Sequence, residues 1–242
     1  MKLTGNKILI TGGASGIGLG LAERFARENN RVIACGRRPE ALRAAAERVP
    51  GLVTRECDLS ASAGRVELYR WVAAEHPDLS VLVNNAGTQN WMAPTDERFA
   101  ERAHDEIAIN VEAPIHLASL FLALAALATI VNVTSGLGFV PLAKVPVYSA
   151  TKAFLHSYTL SLRELVRGRG IEVVELIPPA LNTDLGGKGL HDHAPPVADF
   201  IEAVFDQLAA GRTTVTFGFT EGLSQAGQDV FQPIFARMNS AR

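Results

Sequence analysis

The sequence predicts an α/β fold, a single domain over residues 1–242 built on a doubly wound, mostly parallel sheet. Three observations predict it. Short apolar, β-branched runs alternate with stretches of helical periodicity along the chain. The first run passes into a helix through a glycine-rich loop. Small or polar residues then recur at the ends of later runs, where open α/β sheets bind their ligands.

The composition supports a large core. Of 242 residues, 48% are hydrophobic and 20% charged, which is globular rather than disordered composition. The formal net charge of −2 gives no footprint for nucleic acid and no field for an anionic membrane. Cys35 and Cys57 lack metal-ligand spacing and read as small buried residues in a reducing compartment. Residues 1–10 run straight into a strand without signal-peptide architecture, so a cytoplasmic location is expected.

Lys7–Ile10 is the first strand, and Thr11 to Gly18 the loop after it. The following helix runs from about Gly18 to Glu28. Glycines at Gly12, Gly16 and Gly18 permit a tight turn and let backbone N–H groups approach a pyrophosphate at the helix N-terminus. Arg31 to Gly36 is the second strand, and its end is where an acid would hold the ribose hydroxyls of NAD. Arg37 and Arg38 stand there instead, with Arg37 the stronger candidate for a 2′-phosphate. NADP(H) is therefore the preferred cofactor, with NAD(H) the alternative. A helix over Pro39 to Val49 leads to a third strand, Leu52 to Cys57. Asp58 after it is placed either to meet the adenine or to N-cap the next helix, whose amphipathic part spans Val66 to Glu75.

The fourth strand, Leu79 to Val83, ends in Asn84-Asn85-Ala86-Gly87. Phe99 to about Leu127 reads as helix, broken near Pro114 and carrying Asn110 among apolar neighbours. A mid-helix asparagine has a propensity cost that a hydrogen-bonding role would explain. The uncharged run from Leu117 to Val131 falls short of the ~18 residues a membrane span needs, so it reads as a buried helix joined to a buried strand. Because that helix is apolar on more than one side, a subunit contact is expected, giving a homodimer or homotetramer. The fifth strand, Thr129 to Val133, runs into Ser135.

The next helix, from Tyr148 to Arg167, has Pro146 before it and Gly168 and Gly170 after it. Tyr148 and Lys152 are four residues apart on it, on one face. An ammonium beside a phenol favours the phenolate and lowers the hydroxyl toward working pH, so it can exchange a proton with a bound alcohol or carbonyl. A sixth strand, Ile171 to Ile177, leads into Pro178-Pro179-Ala180-Leu181-Asn182-Thr183. Residues 184–196 have loop composition suited to closing over a substrate. His191 and His193 in this loop read as solvated, and no metal site is expected. A helix over Val197 to Ala210, a strand over Thr213 to Phe219 and an apolar-faced helix from Gln228 to Met238 complete the chain.

Thr11-Gly12-x-x-x-Gly16-x-Gly18, Asn84-Asn85-Ala86-Gly87, Ser135, Tyr148-x-x-x-Lys152 and Pro178 to Thr183 stand in this order. With them the chain resembles the single-domain short-chain dehydrogenase/reductase family over about residues 5 to 215. Cys35 to Arg38 and Pro146 to Ala153 are most similar to the branch of oxidoreductases named after D-alanyl-lipoteichoic acid operons.

The resemblance implies a Rossmann-type fold and a small carbonyl or alcohol substrate. Tyr148 would be the general acid/base, and Lys152 would lower its pKa and bind the nicotinamide ribose. Ser135 would hold the reacting oxygen, and Asn110 a water linking Lys152 to solvent. Gly12, Ser15, Gly16, Ile17 and Gly18 would cradle the pyrophosphate. Asp58, Leu59, Asn84, Ala86 and Gly87 would line the adenosine and ribose. Pro178, Leu181 and Thr183 would meet the nicotinamide, Thr183 its carboxamide. The family usually has glycine where this chain has Pro179, and proline removes a backbone donor from the nicotinamide loop. Trp91, Met92, Leu137, Phe139 and Leu185 are the expected apolar lining of the substrate pocket. Rival functions are an NADP(H)-binding sensor or scaffold without turnover, and an epimerase or dehydratase using the same Tyr-Lys pair.

Overall fold

Strand and helix alternate from the first residues, as the apolar periodicity requires. The computed structural model describes residues 1–223 and 228–240. In chain order the elements are β1 (Lys7–Thr11), α1 (Gly16–Arg27), β2 (Arg31–Gly36), α2 (Pro39–Arg48), β3 (Val53–Glu56), α3 (Ser62–Glu75) and β4 (Val81–Asn84). Then follow α4 (Phe99–Ile107), α5 (Ala113–Phe121), β5 (Thr129–Val133), α6 (Pro146–Leu165), β6 (Glu172–Ile177), α7 (Val197–Ala209), β7 (Thr214–Thr216), α8 (Thr220–Leu223) and α9 (Gln228–Ser240).

The strands form one seven-stranded sheet in the order β3-β2-β1-β4-β5-β6-β7, every pair parallel. Chain direction across the sheet reverses between β1 and β4, which opens a crevice at their carboxyl ends. Side chains alternate along each strand and feed two cores. Ile8 and Ile10 point to the layer of α1 and α7, where Phe25 and Phe205 meet with ring centroids 4.8 Å apart. Leu9 points to the opposite layer of α3, α5 and α6, with Leu68, Phe121 and Leu162. Burial on both faces explains why the strands read as near-continuous apolar runs.

Three expectations are corrected. The helix predicted from Phe99 to Leu127 is two helices joined by a π-helical turn, Ala108–Glu112, and it ends at Phe121. Pro114 falls just after that turn, in the first turn of α5, and the chain stays helical through it. The last strand is three residues rather than seven. There the Thr220 hydroxyl donates to Ile177 O (2.8 Å) and accepts from Phe217 N (2.9 Å), turning the chain into α8. No helix among the described residues is long and apolar enough to cross a membrane.

Candidate active site

The crevice is built first by Thr11, at the end of β1. Its hydroxyl donates to Val83 O (3.2 Å) and accepts from the N–H groups of Asn85 (2.9 Å) and Ala86 (3.0 Å), tying the ends of β1 and β4 together. Asn85 returns its amide to Thr11 O (2.9 Å) and Gly12 O (3.3 Å). Gly12 and Gly16 take φ of +65° and +52°, a region that side-chain-bearing residues avoid. A Cβ on Gly18 would lie 2.3 Å from Gly12 O, so the loop closes only around glycine. Ile17 packs against the core, leaving its backbone to the loop. The first turn of α1 has no side-chain cap and no acidic residue, so its N–H groups are free to receive an anion.

Both arginines after β2 are exposed. Arg38 rather than Arg37 reaches the glycine loop, its guanidinium donating to Ser15 Oγ at 3.1 Å. Arg37 faces Asp58 instead. The Ser60 hydroxyl (2.8 Å) and N–H (3.0 Å) hold the Asp58 carboxyl below its usual range, and Arg37 adds to this. Asp58 closes that turn and does not cap α3, whose N-cap is Ala61. Leu59 beside it is buried in the core.

Asn84 faces away from the crevice. Its amide donates to Asn132 Oδ1 (2.9 Å), and Asn132 donates in turn to Thr159 Oγ1 (2.9 Å), a buried chain linking β4, β5 and α6. Only its backbone borders the site, together with Ala86 and Gly87. A Cβ on Gly87 would stand 3.3 Å from Asn110 Oδ1 and 3.7 Å from Lys152 Nζ, so Gly87 is the floor between these two residues.

Asn110 lies in the π-helical turn, and its amide is fully engaged. It accepts from Thr88 N (2.9 Å) and donates to Thr88 O (2.9 Å) and Thr151 Oγ1 (3.1 Å). It therefore fastens the loop after β4 to α6. Helix α6 begins with Pro146 and buries both Tyr148 and Lys152 in its first two turns. Lys152 Nζ donates to Val133 O (2.8 Å) and lies 5.5 Å from the centre of the Tyr148 ring. Ser135, just past β5, accepts from Leu137 N (3.1 Å) and faces the tyrosine hydroxyl.

The expectation that Lys152 brings the phenol down is reversed in this state. Burial pushes Tyr148 up to about 12; Ser135 works against this and the Glu106 carboxylate with it. Burial pulls Lys152 down to about 8, opposed by Glu106. At both residues, withdrawal of the charged form from water is the largest cause.

Beyond β6, Pro178 O accepts from Gly136 N (3.0 Å) and Leu181 is buried in the core, so Leu181 presents no side chain to the crevice. Thr183 does: its methyl group is 3.4 Å from a Cβ placed on Gly16, directly across from the glycine loop. Gly186 brings the following loop against Gln89 and Trp91; a Cβ there would lie 2.8 Å from Gln89 Oε1 and 3.5 Å from Trp91 Nε1. Of the expected apolar lining, Met92 is buried and Trp91 exposed. Leu137, Phe139 and Leu185 are half-buried. Phe139 packs on His156 with centroids 4.5 Å apart. No metal-binding group of His, Cys, Asp or Glu occurs among the described residues. Both cysteines are free and buried, with burial pushing the Cys57 thiol up to about 11 and the Cys35 thiol up further.

Two buried carboxylates of this region have no part in the sequence reading. Glu106, on α4, is fully buried, and its charge acts on both Tyr148 and Lys152. Glu175 is also fully buried, accepting from Thr134 Oγ1 (2.8 Å) and paired with His156 Nδ1 (2.9 Å). A charge at helical spacing in front of Asn110 was the one available signal for Glu106. Nothing in a strand sequence signals that Glu175 meets a histidine from α6.

Residues 6–193 match the family model for short chain dehydrogenases. The chain is 41% identical, over 99% of both sequences, to the uncharacterized oxidoreductase DltE of Bacillus subtilis. Among solved structures, a short chain dehydrogenase from Burkholderia cenocepacia in complex with NADP superposes with a TM-score of 0.84 at 26% identity, covering 98% of this chain and 99% of that one. A short-chain dehydrogenase from Sphingobium yanoikuyae in complex with NADPH gives 0.82 at 25%, covering 98% of each. The chain belongs to the short-chain dehydrogenase/reductase family, an oxidoreductase on a Rossmann-type scaffold.

Proposed function

We propose that the protein is a cytoplasmic NADP(H)-dependent oxidoreductase interconverting a carbonyl and a secondary alcohol, with Tyr148 as general acid/base. The observation that carries this reading is the burial of Tyr148 and Lys152 against the end of β5, facing Ser135, next to a crevice framed by glycines and two arginines. The crevice fits a dinucleotide: Gly18 leaves no room for a side chain and α1 presents uncapped N–H groups. Gly12, Ser15, Gly16, Ile17 and Gly18 would hold the pyrophosphate. Arg38 and Arg37 would hold a 2′-phosphate, Asp58 and Leu59 the adenine side, and Ala86 and Gly87 the ribose. Pro178 and Thr183 would position the nicotinamide, a cofactor that supplies hydride when bound.

The chain's own part is orientation and proton transfer. Ser135 directs the substrate oxygen to Tyr148, whose high pKa keeps its proton until the oxygen gains negative charge. Lys152 contributes positive charge beneath the phenol, and Asn110 fixes α6 to the loop after β4. Exposed Ile107, Phe154 and Leu160 offer apolar surface for a second copy, so we infer a homo-oligomer. Incubating the protein with NADPH and a panel of ketones and aldehydes tests the reading. NADPH consumption with alcohol formation supports it; tight NADPH binding without turnover on any member favours a sensor.

A further inference from the structure

Three consecutive residues at the end of β5 are each tied to α6. Val133 O accepts from Lys152 Nζ at 2.8 Å, and Ser135 faces the hydroxyl of Tyr148. Between them, Thr134 donates its hydroxyl to Glu175 Oε1 at 2.8 Å. The same carboxylate meets His156 Nδ1 at 2.9 Å through Oε1 and at 3.1 Å through Oε2. Tyr148, Lys152 and His156 follow one another at four-residue spacing, so one face of α6 serves all three.

Glu175 comes from β6, on the face of the sheet that α6 covers; its neighbours Val174 and Leu176 point to the opposite layer. It has no exposure, and both of its oxygens are engaged. His156 is half-buried, and Phe139, from the turn after Ser135, packs on its ring. Burying a carboxylate costs desolvation, and apolar residues of similar volume would avoid that cost. Directional bonds supply what apolar packing does not, a fixed register of α6 along the strand. Thr159 and Arg163 continue this polar face, meeting Asn132 Nδ2 (2.9 Å) and Val173 O (3.1 Å).

We propose that Glu175 is a positioning residue for Ser135 and Tyr148. Its carboxylate takes the Thr134 hydroxyl and the His156 imidazole at once. It thereby sets how far the serine on the β5 tail stands from the phenol on α6. Because the carboxylate accepts, His156 carries a proton on Nδ1. The purpose of this arrangement rests on the reductase reading above, but its main test needs no turnover.

The test is 13C NMR of protein labelled at the tyrosine ζ carbon, without cofactor and with NADPH. The chain has three tyrosines, and the Tyr148 resonance is the one lost in Tyr148→Phe. Ser135→Ala gives the displacement that follows when the phenol loses its serine. Thr134→Val keeps the side chain's shape and removes one hydroxyl; His156→Ala removes the imidazole. Each is expected to move the Tyr148 resonance in the same direction as Ser135→Ala. In His156→Asn, whose amide puts an N–H near the place of Nδ1, the resonance should return toward wild type. A residue that only adds stability would lower Tm in these variants and leave the resonance where it was. An unmoved resonance in either folded variant, Thr134→Val or His156→Ala, overturns the proposal. So does a His156→Asn resonance that stays with His156→Ala. Should His156→Ala fail to fold, Thr134→Val decides alone. Where turnover is found, Thr134→Val and His156→Ala should lose at least about tenfold in kcat with NADPH affinity unchanged. Absence of turnover beside the expected displacements counts against the reductase reading alone.

Discussion

The Lys152 ammonium donates to the carbonyl of Val133 at 2.8 Å, fastening the second turn of α6 to the strand that leads into Ser135. Thr151, the preceding residue, is fastened on another side by Asn110. Between them these bonds fix where Tyr148 stands relative to Ser135. Position here comes from buried hydrogen bonds rather than from helix propensity.

Asn110→Leu tests that fixing. The substitution leaves Thr88 N and O without their side-chain partners at a half-buried position, which should cost about 1–3 kcal/mol of unfolding free energy in urea titration. Turnover should fall further than stability predicts, because the loop after β4 loses its anchor.

Gly18→Ala tests the crevice. A methyl group 2.3 Å from Gly12 O forces the glycine loop open. NADPH affinity should drop at least about tenfold by fluorescence titration, while far-UV circular dichroism stays unchanged because the rest of α1 is untouched.

On the proposed reading, Arg37 and Arg38 both hold the 2′-phosphate. Removing either guanidinium as Arg37→Ala or Arg38→Ala should weaken NADPH binding about tenfold and leave NADH binding near its starting value. Arg37→Asp should shift preference toward NADH. Equal losses for both cofactors would place the arginines elsewhere in the mechanism.

Stability should carry the signature of Glu106. Its carboxyl titrates near 7 in the folded chain against 4.5 for a glutamate in water, so between these the folded state holds more protons than the unfolded state. Unfolding free energy therefore falls as pH rises through that window. Glu106→Gln should flatten the fall and stabilise the protein at pH 8 by up to about 3 kcal/mol. Lys152 acts with the opposite sign at higher pH. Depressed to about 8 from 10.5, it makes stability rise with pH between the two values.

The parallel sheet and the glycine loop were legible because glycines, β-branched runs and their spacing are local signals. Thr11 to Gly18 and Tyr148 to Lys152 lie where their spacing places them. Four features were not legible, each for a tertiary reason. Asn84 turns inward because Asn132 on the neighbouring strand offers an acceptor. Arg38, not Arg37, reaches Ser15 because the turn into α2 points it there. The helix through Asn110 is interrupted by a π-helical turn that composition does not betray. The charge balance around Tyr148 was misjudged because Lys152 was visible at i+4, while the burial that overrides it, and Glu106 on another helix, were not.

Reaction of the wild-type and Tyr148→Phe proteins with deuterated NADPH and a ketone bears most directly on the central claim. The account predicts stereospecific transfer of deuterium to the carbonyl carbon in the wild type. In Tyr148→Phe it predicts a loss of at least about a hundredfold in rate with NADPH affinity retained. Undiminished deuterium transfer in Tyr148→Phe would contradict it.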